Sequence, residues 1–446
     1  MNTSHPADLV PLDPWDELFH SISTEYEGTG SGAAVLHLRG TIEREPLRTA
    51  LASLQKRHPK LRARIVESGG GRHAFEISQD CLPLPFELKD VDIGDLPWQE
   101  ESSRLLGASL DPAIDPLLRV VVLRAPARDR CILVLMAHHS VGDGHSVLRL
   151  VDDLLGYYAE AERGGTPPIA SLSIATAPRA LPSGTMSQRL LQCVELYRRR
   201  RDNRKADWVS LPQATGTAPH RLWTHFVLTE KDTAALALRC RREKATLYGA
   251  LYAAAARGLI VALQQPNARF KCRFPIDIRR QLTSASGPVT HHDLGNFISG
   301  YEAIYEVDGR SPFWTLARQA RHDLERFTAA GGPSLVYNFI RFIKLPYVPP
   351  TLRRGTILVN SYGVVDLREQ YGSLGLEELS IVFNNVTAGP SLLIQGFVIQ
   401  RRLNVSLSMV DVPEDFSERV HHAIKHECQA ATYGGRNDQR AIRARA

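Results

Sequence analysis

The stretch "LVLMAHHSVGDGHSVLRLVDDLLGYY", Leu133 to Tyr158, constrains the fold more than any other part of the chain. It begins almost continuously apolar, the pattern of a strand covered on both faces. It ends with Val147, Leu150, Val151, Leu154, Leu155 and Tyr158 on one apolar stripe, the pattern of a helix with a single buried face. A covered strand running into such a helix predicts a layered α/β architecture, with the connection between them held at both ends. His138, His139, Asp143 and Gly144 sit at that connection.

Histidine is the side chain best suited to take up a proton near neutral pH. An aspartate four residues later can fold back to orient the imidazole or its loop. Gly144 is expected to supply backbone freedom where the helix begins, and a helix N-terminus favours developing negative charge. With this arrangement His139 could deprotonate a bound alcohol or amine directly, with no serine or cysteine nucleophile. A bland reading competes: Asp143 as a simple helix cap and the histidines as the polar end of a strand. A metal site is disfavoured, because adjacent strand residues point to opposite faces. The second histidine-rich stretch, His291 to Asp293, lies among Gly, Pro and Ser and reads as a loop.

Elsewhere, "GAAVLHLRG" reads as a strand and "EREPLRTALASLQKRHP" as a helix with Pro46 in its first turn. "PLLRVVVLR" and "CILVLMAHH", separated by "APARDR", read as a hairpin. Beyond a Pro-, Ala-, Ser- and Gly-rich stretch come a basic helix near 187–206 and helices near 230–244 and 246–263. Strands are expected around 269–276, 296–306, 356–361, 379–384 and 392–410, with helices near 311–328 and 414–430. The division expected is an N-terminal unit (1–165), a linker (166–186), a C-terminal unit (187–433) and a basic, flexible tail (434–446).

At 446 residues the chain is too long for one compact core, which agrees with two units. Its 43% hydrophobic content is that of a globular protein, and no apolar run reaches the ~20 residues of a membrane span. The N-terminus lacks the regions of a signal peptide, so a cytoplasmic protein is expected. Six scattered cysteines without a C-x-x-C pair support neither a zinc site nor a disulfide framework. The net charge of +6 is concentrated in "YRRRRDNRK" and the C-terminal tail. A solvated face is the plainest reading of both, and a dock for an acidic carrier protein or a CoA phosphate is the functional one. No nucleic-acid-binding signature accompanies them.

"HHSVGDG" matches the H-H-x-x-x-D-G motif, and the chain resembles the chloramphenicol-acetyltransferase-like superfamily, which includes the condensation domains of nonribosomal peptide synthetases. Its wider context is most similar to stand-alone polyketide-associated acyltransferases of the phthiocerol dimycocerosyl transferase type. "LQKRHPKLRARI", "RFPIDIRRQL" with "DLGNFISG", and "ILVNSYGVVDL" resemble further blocks of that family in the same order, from about residue 10 to 420. The D-F-G-W-G motif of the plant BAHD branch is absent.

The resemblance implies an α/β fold, an α+β two-layer sandwich of two similar subdomains set in a V around a tunnel. It implies His139 as catalytic base, Asp143 as a brace ion-paired to an arginine, and supporting roles for His138 and Gly144. Arg279 is the first choice for that arginine and Arg62 the second. Asn360 or Ser361 is a candidate donor toward the oxyanion or acceptor, with a turn residue as the alternative for Asn360. The implied activity is acyl transfer from a CoA or phosphopantetheine-linked thioester to a hydroxyl, without an acyl-enzyme, a permanently bound cofactor or a metal. A small-molecule acceptor and an acidic carrier protein are the expected partners of a monomer. Amide formation between carrier-bound substrates is the alternative, and a non-catalytic carrier-binding scaffold a third.

Overall fold

The computed structural model of the protein describes residues 8–25, 30–91, 98–108, 110–165, 169–175, 181, 185–187, 190, 193–194, 197–198, 201, 207–214, 221–284, 287–340, 355–384 and 391–433. Two six-stranded sheets dominate it. The first runs, edge to edge, Gln370–Tyr371, Leu374–Phe383, Ser31–Arg39, Arg130–His138, Leu118–Ala125 and Phe86–Asp90. The second runs Ile298–Asp308, Asn267–Asp277, Ile357–Val364, Leu392–Ile399, Arg402–Val410 and Arg221–Val227.

The hairpin read from "PLLRVVVLR" and "CILVLMAHH" forms as Leu118–Ala125 and Arg130–His138, antiparallel, its turn closed by Asp129 at φ +51°. Arg130–His138 lies inside its sheet and is buried at every position after Arg130, as its continuous apolar character requires. Helix Gly144–Glu162 packs against helix Arg44–Arg57 and the sheet, burying Leu150, Val151, Leu154, Leu155 and Tyr158. In the second half, helix Leu247–Leu263 is apolar nearly all round and correspondingly enclosed by its sheet and by helices Phe313–Ala329 and Glu414–Tyr433.

The two halves do not each keep their own strands. Leu374–Phe383 and Gln370–Tyr371, from beyond residue 187, join the first sheet through antiparallel pairing of Leu374–Phe383 with Ser31–Arg39. The physical reason is that Ser31–Arg39 would otherwise present a bare apolar edge. Crossing back also ties the halves by hydrogen bonds. Gln395 Nε2 donates to the Ile381 carbonyl (2.8 Å), and the Ile381 N–H donates to Ser406 Oγ (3.2 Å).

Among the described residues, three helices form where the sequence pattern does not predict one: Pro14–Glu25, Trp98–Gly107 and Gly332–Ile340. The first has a legible start. In "DPWDE", Asp13 Oδ1 accepts from the Trp15 and Asp16 N–H groups (2.8 and 2.9 Å) and Pro14 opens the helix. Most of the basic run Tyr197–Lys205 and all of the tail 434–446 lie outside the described residues.

Candidate active site

Strand Arg130–His138 ends at the motif, and Asp143 is the N-cap of the following helix, accepting from the Ser146 N–H at 3.0 Å. Asp143 does more than cap. Arg279 closes a two-pronged ion pair on it, Nη1 to Oδ2 at 2.8 Å and Nη2 to Oδ1 at 2.7 Å. The Phe297 N–H (3.2 Å) and Ser146 Oγ (3.1 Å) complete its hydrogen bonds. Burial alone would raise this carboxyl, but the Arg279 guanidinium overrides it and holds it below the ordinary carboxylate range.

Arg279 is 2% exposed and lies over the Phe297 ring, 4.9 Å from its centroid. Arg62, the second choice for this role, is elsewhere: its guanidinium reaches Gln79 (2.8 Å) and Ser171 (3.3 Å). It ends a short 3-10 turn, Pro59–Arg62, that sends Lys60 inward instead.

Lys60 belongs to a second brace that the sequence reading did not identify. Its ammonium donates to Asp16 Oδ2 (2.9 Å) and to the Ser140 carbonyl (3.1 Å). Asn296 Nδ2 donates to Asp16 Oδ1 (2.7 Å) and to the His139 carbonyl (2.6 Å). Asp16, Lys60 and Asn296 are all buried. Burial raises the Asp16 carboxyl, and Lys60 offsets only part of the rise. The available signals are the "DPWDE" helix start for Asp16, the "GN" of "DLGNF" for Asn296 and, for Lys60, only its place in the block "LQKRHPKLRARI" beside Arg62.

His139 is half-buried between these supports. Its N–H donates to the Gly30 carbonyl at 2.7 Å. Its ring stacks on Phe19 with centroids 3.5 Å apart and planes 9° apart, and Phe383 meets it edge-on at 4.9 Å. Burial pushes the imidazole down to about 4, so it is neutral at physiological pH. Its Nδ1 is buried without a hydrogen-bond partner among the described residues.

His138 points the other way into the core, 1% exposed. The Ser140 N–H donates to its Nδ1 (3.2 Å), and burial pushes it down to about 3. His145 is half-buried, edge-on to Tyr362 at 5.4 Å and 3.9 Å from Asp277. His291 and His292 occupy an exposed turn.

Gly144 serves a purpose other than the one expected. Its φ is not left-handed, but a Cβ there would lie 2.2 Å from the Tyr362 ring. Tyr362 is the extra residue of a bulge in Ile357–Val364, where the register shifts between Ser361 and Gly363. Its hydroxyl donates to Gln395 Oε1 (2.6 Å) and accepts from Asn360 Nδ2 (2.9 Å). Asn360 and Ser361 are therefore strand residues rather than turn residues, both half-buried.

Residues 16–333 match the condensation domain family model, and the chain belongs to that family. Among curated relatives it is 31% identical over 148 residues to the dimodular nonribosomal peptide synthase of Bacillus subtilis, an alignment covering 33% of this chain and 6% of that protein. It is 25% identical over 271 residues to the phthiocerol/phthiodiolone dimycocerosyl transferase of Mycobacterium leprae, covering 58% of this chain and 61% of that one. The chain thus spans only a small part of the synthetases it matches and under two thirds of the transferase. Among solved structures, trichothecene 15-O-acetyltransferase from Fusarium sporotrichioides superposes with a TM-score of 0.72 at 12% identity, over 96% of both chains. The shared fold is the one expected from the HHSVGDG resemblance, and the family's members are transferases.

Proposed function

We propose that this chain is an acyltransferase in specialised lipid, polyketide or related natural-product biosynthesis. It moves an acyl group from a CoA- or phosphopantetheine-linked thioester to an acceptor hydroxyl. The observation that carries this reading is His139: a neutral imidazole with its ring clamped by Phe19 and its backbone pinned by Gly30 and Asn296. With Nδ1 enclosed, Nε2 is the nitrogen that a substrate meets.

In the proposed reaction Nε2 takes the acceptor's hydroxyl proton as its oxygen attacks the thioester carbonyl. The C–O bond forms, the C–S bond breaks, and the imidazolium returns the proton to the departing thiolate. Asp143 acts through position: tied to Arg279, it fixes the loop that holds His139. His138 supports the same loop from the core side through Ser140. Asn360 keeps a second amide hydrogen for the oxyanion or acceptor. A hydroxyl acceptor accords with the names of the transferase relative and of the O-acetyltransferase of like fold.

The test is an intact-mass screen of acyl-CoA and acyl-carrier donors against mixed alcohols and amines, with His139→Ala as control. General-base loss predicts a fall in turnover of about 100-fold or more, with the melting temperature unchanged. Turnover that survives in His139→Ala would sink the proposal. Products formed only with amines would replace the ester by an amide, and thioester binding without turnover would leave a scaffold.

A further inference from the structure

A second constellation lies where the two sheets meet, on the strands that join them. Glu378 is opposite His37 in the pairing of Leu374–Phe383 with Ser31–Arg39. A bulge between Leu376 and Glu378 sets that register, and cross-strand partners project from the same face of a sheet. His225 comes from the other sheet, on Arg221–Val227. Its Nε2 lies 2.8 Å from Glu378 Oε2. One ligand atom from each of the three residues falls within 4.8 Å of the other two.

Two features distinguish this cluster from an ordinary buried ion pair. His37 Nε2 is buried and makes no hydrogen bond among the described residues, a costly state for a polar nitrogen. Trp98 stands edge-on to both imidazoles, 6.2 and 5.8 Å between centroids, and limits their rotation.

We propose that His37, His225 and Glu378 form a binding site for a divalent transition-metal ion, Zn²⁺ being the best match, that clasps the two sheets together. Two imidazole nitrogens and one carboxylate oxygen are ligands that Zn²⁺ takes in four-coordinate sites, with the fourth position left to water. Calcium and magnesium, which prefer oxygen, fit poorly. The site is separate from His139. His37 pairs with Ile132, whereas His138 pairs with Ser31 at the far end of the same strands. That is six residues along, about 20 Å at ~3.3 Å per residue. His37, His225 and Glu378 share no spacing motif along the chain.

The experiment strips the full chain with chelator and titrates it with Zn²⁺, reading bound metal by mass spectrometry and the unfolding midpoint by calorimetry. One equivalent is expected to bind and to raise the midpoint by a few degrees. His37→Gln removes a ligand without breaking a hydrogen bond and should weaken binding at least tenfold. Glu378→Gln should do the same. His422→Gln/His426→Gln, which removes an exposed pair one turn apart on the last helix, should leave the tight equivalent in place. Absence of a saturable equivalent in the native chain would overturn the proposal, as would binding that His37→Gln leaves unchanged. X-ray absorption on the native complex supplies a check free of mutation. Two imidazole nitrogens and one carboxylate oxygen support the site, and a thiolate ligand would overturn it.

Discussion

Asp143 and Asp16 are both buried, both paired with a cation, and both hold the loop that carries His139, yet their electrostatics are opposite. Asp143 meets a planar guanidinium with two matched bonds and is held ionised. Asp16 meets a single ammonium and an amide, and its carboxyl is raised by burial. The difference follows from donor geometry. Arginine offers a fixed fork that satisfies both oxygens of one carboxylate, whereas lysine is a point charge shared here with the Ser140 carbonyl. The first brace therefore anchors the loop at its helix end by charge. The second secures the strand end by hydrogen bonds to the His139 and Ser140 carbonyls.

Substituting each carboxylate separates the two braces. Asp143→Asn leaves the buried Arg279 with only the longer contact to Asp277 (3.4 Å) as an ion pair, and is expected to cost about 3 kcal/mol in urea unfolding. Because the Asp143 carboxyl is held low in the folded state, its contribution is complete above the ordinary carboxylate range and is lost only as pH falls through its folded value. The deficit should stay level from pH 5 to 8, and a deficit that varies strongly in that window contradicts the charge-anchored reading.

Asp16→Asn should cost less, about 2 kcal/mol, with a different pH signature. A carboxyl with a raised folded pKa stabilises fully below its unfolded value and progressively less as pH rises toward its folded one. The Asp16→Asn deficit should therefore shrink as pH rises above the ordinary carboxylate range. A level deficit would show that the two carboxylates behave alike.

The smallest change expected is at Phe19, which supports the imidazole rather than the loop. Phe19→Ala loses about 1 kcal/mol of ring contact and admits water beside His139. The acid limb of kcat/KM, expected near the His139 value of about 4, should move upward toward the ordinary histidine range. An unmoved limb would remove Phe19 from the account of why the base is neutral.

Much of the first brace is legible in the chain. Asp143 stands four residues after His139 and ahead of a periodic helix, and "PIDIRR" offers an arginine in the expected order. The second brace is hard to read because each member has a commoner explanation. Lys60 resembles a surface lysine, Asp16 an exposed residue in a helix's first turn, and Asn296 a loop residue. Only burial distinguishes them, and burial depends on contacts among elements hundreds of residues apart. Gly144 illustrates the same limit, since its lack of a side chain is required by Tyr362 rather than by its own backbone.

By itself the sequence determined the hydrophobic periodicities, the hairpin, the strand–helix junction and the place of the histidine pair. These depend on neighbours within a few residues, where sterics, capping and apolar spacing act. Tertiary structure alone decided which cation reached Asp143, that Lys60 and Asn296 met at Asp16, and that strand Leu374–Phe383 crossed to the first sheet. It also brought His37, His225 and Glu378 together. Those outcomes rest on packing and on satisfying buried charges, and neither has a fixed spacing along the chain.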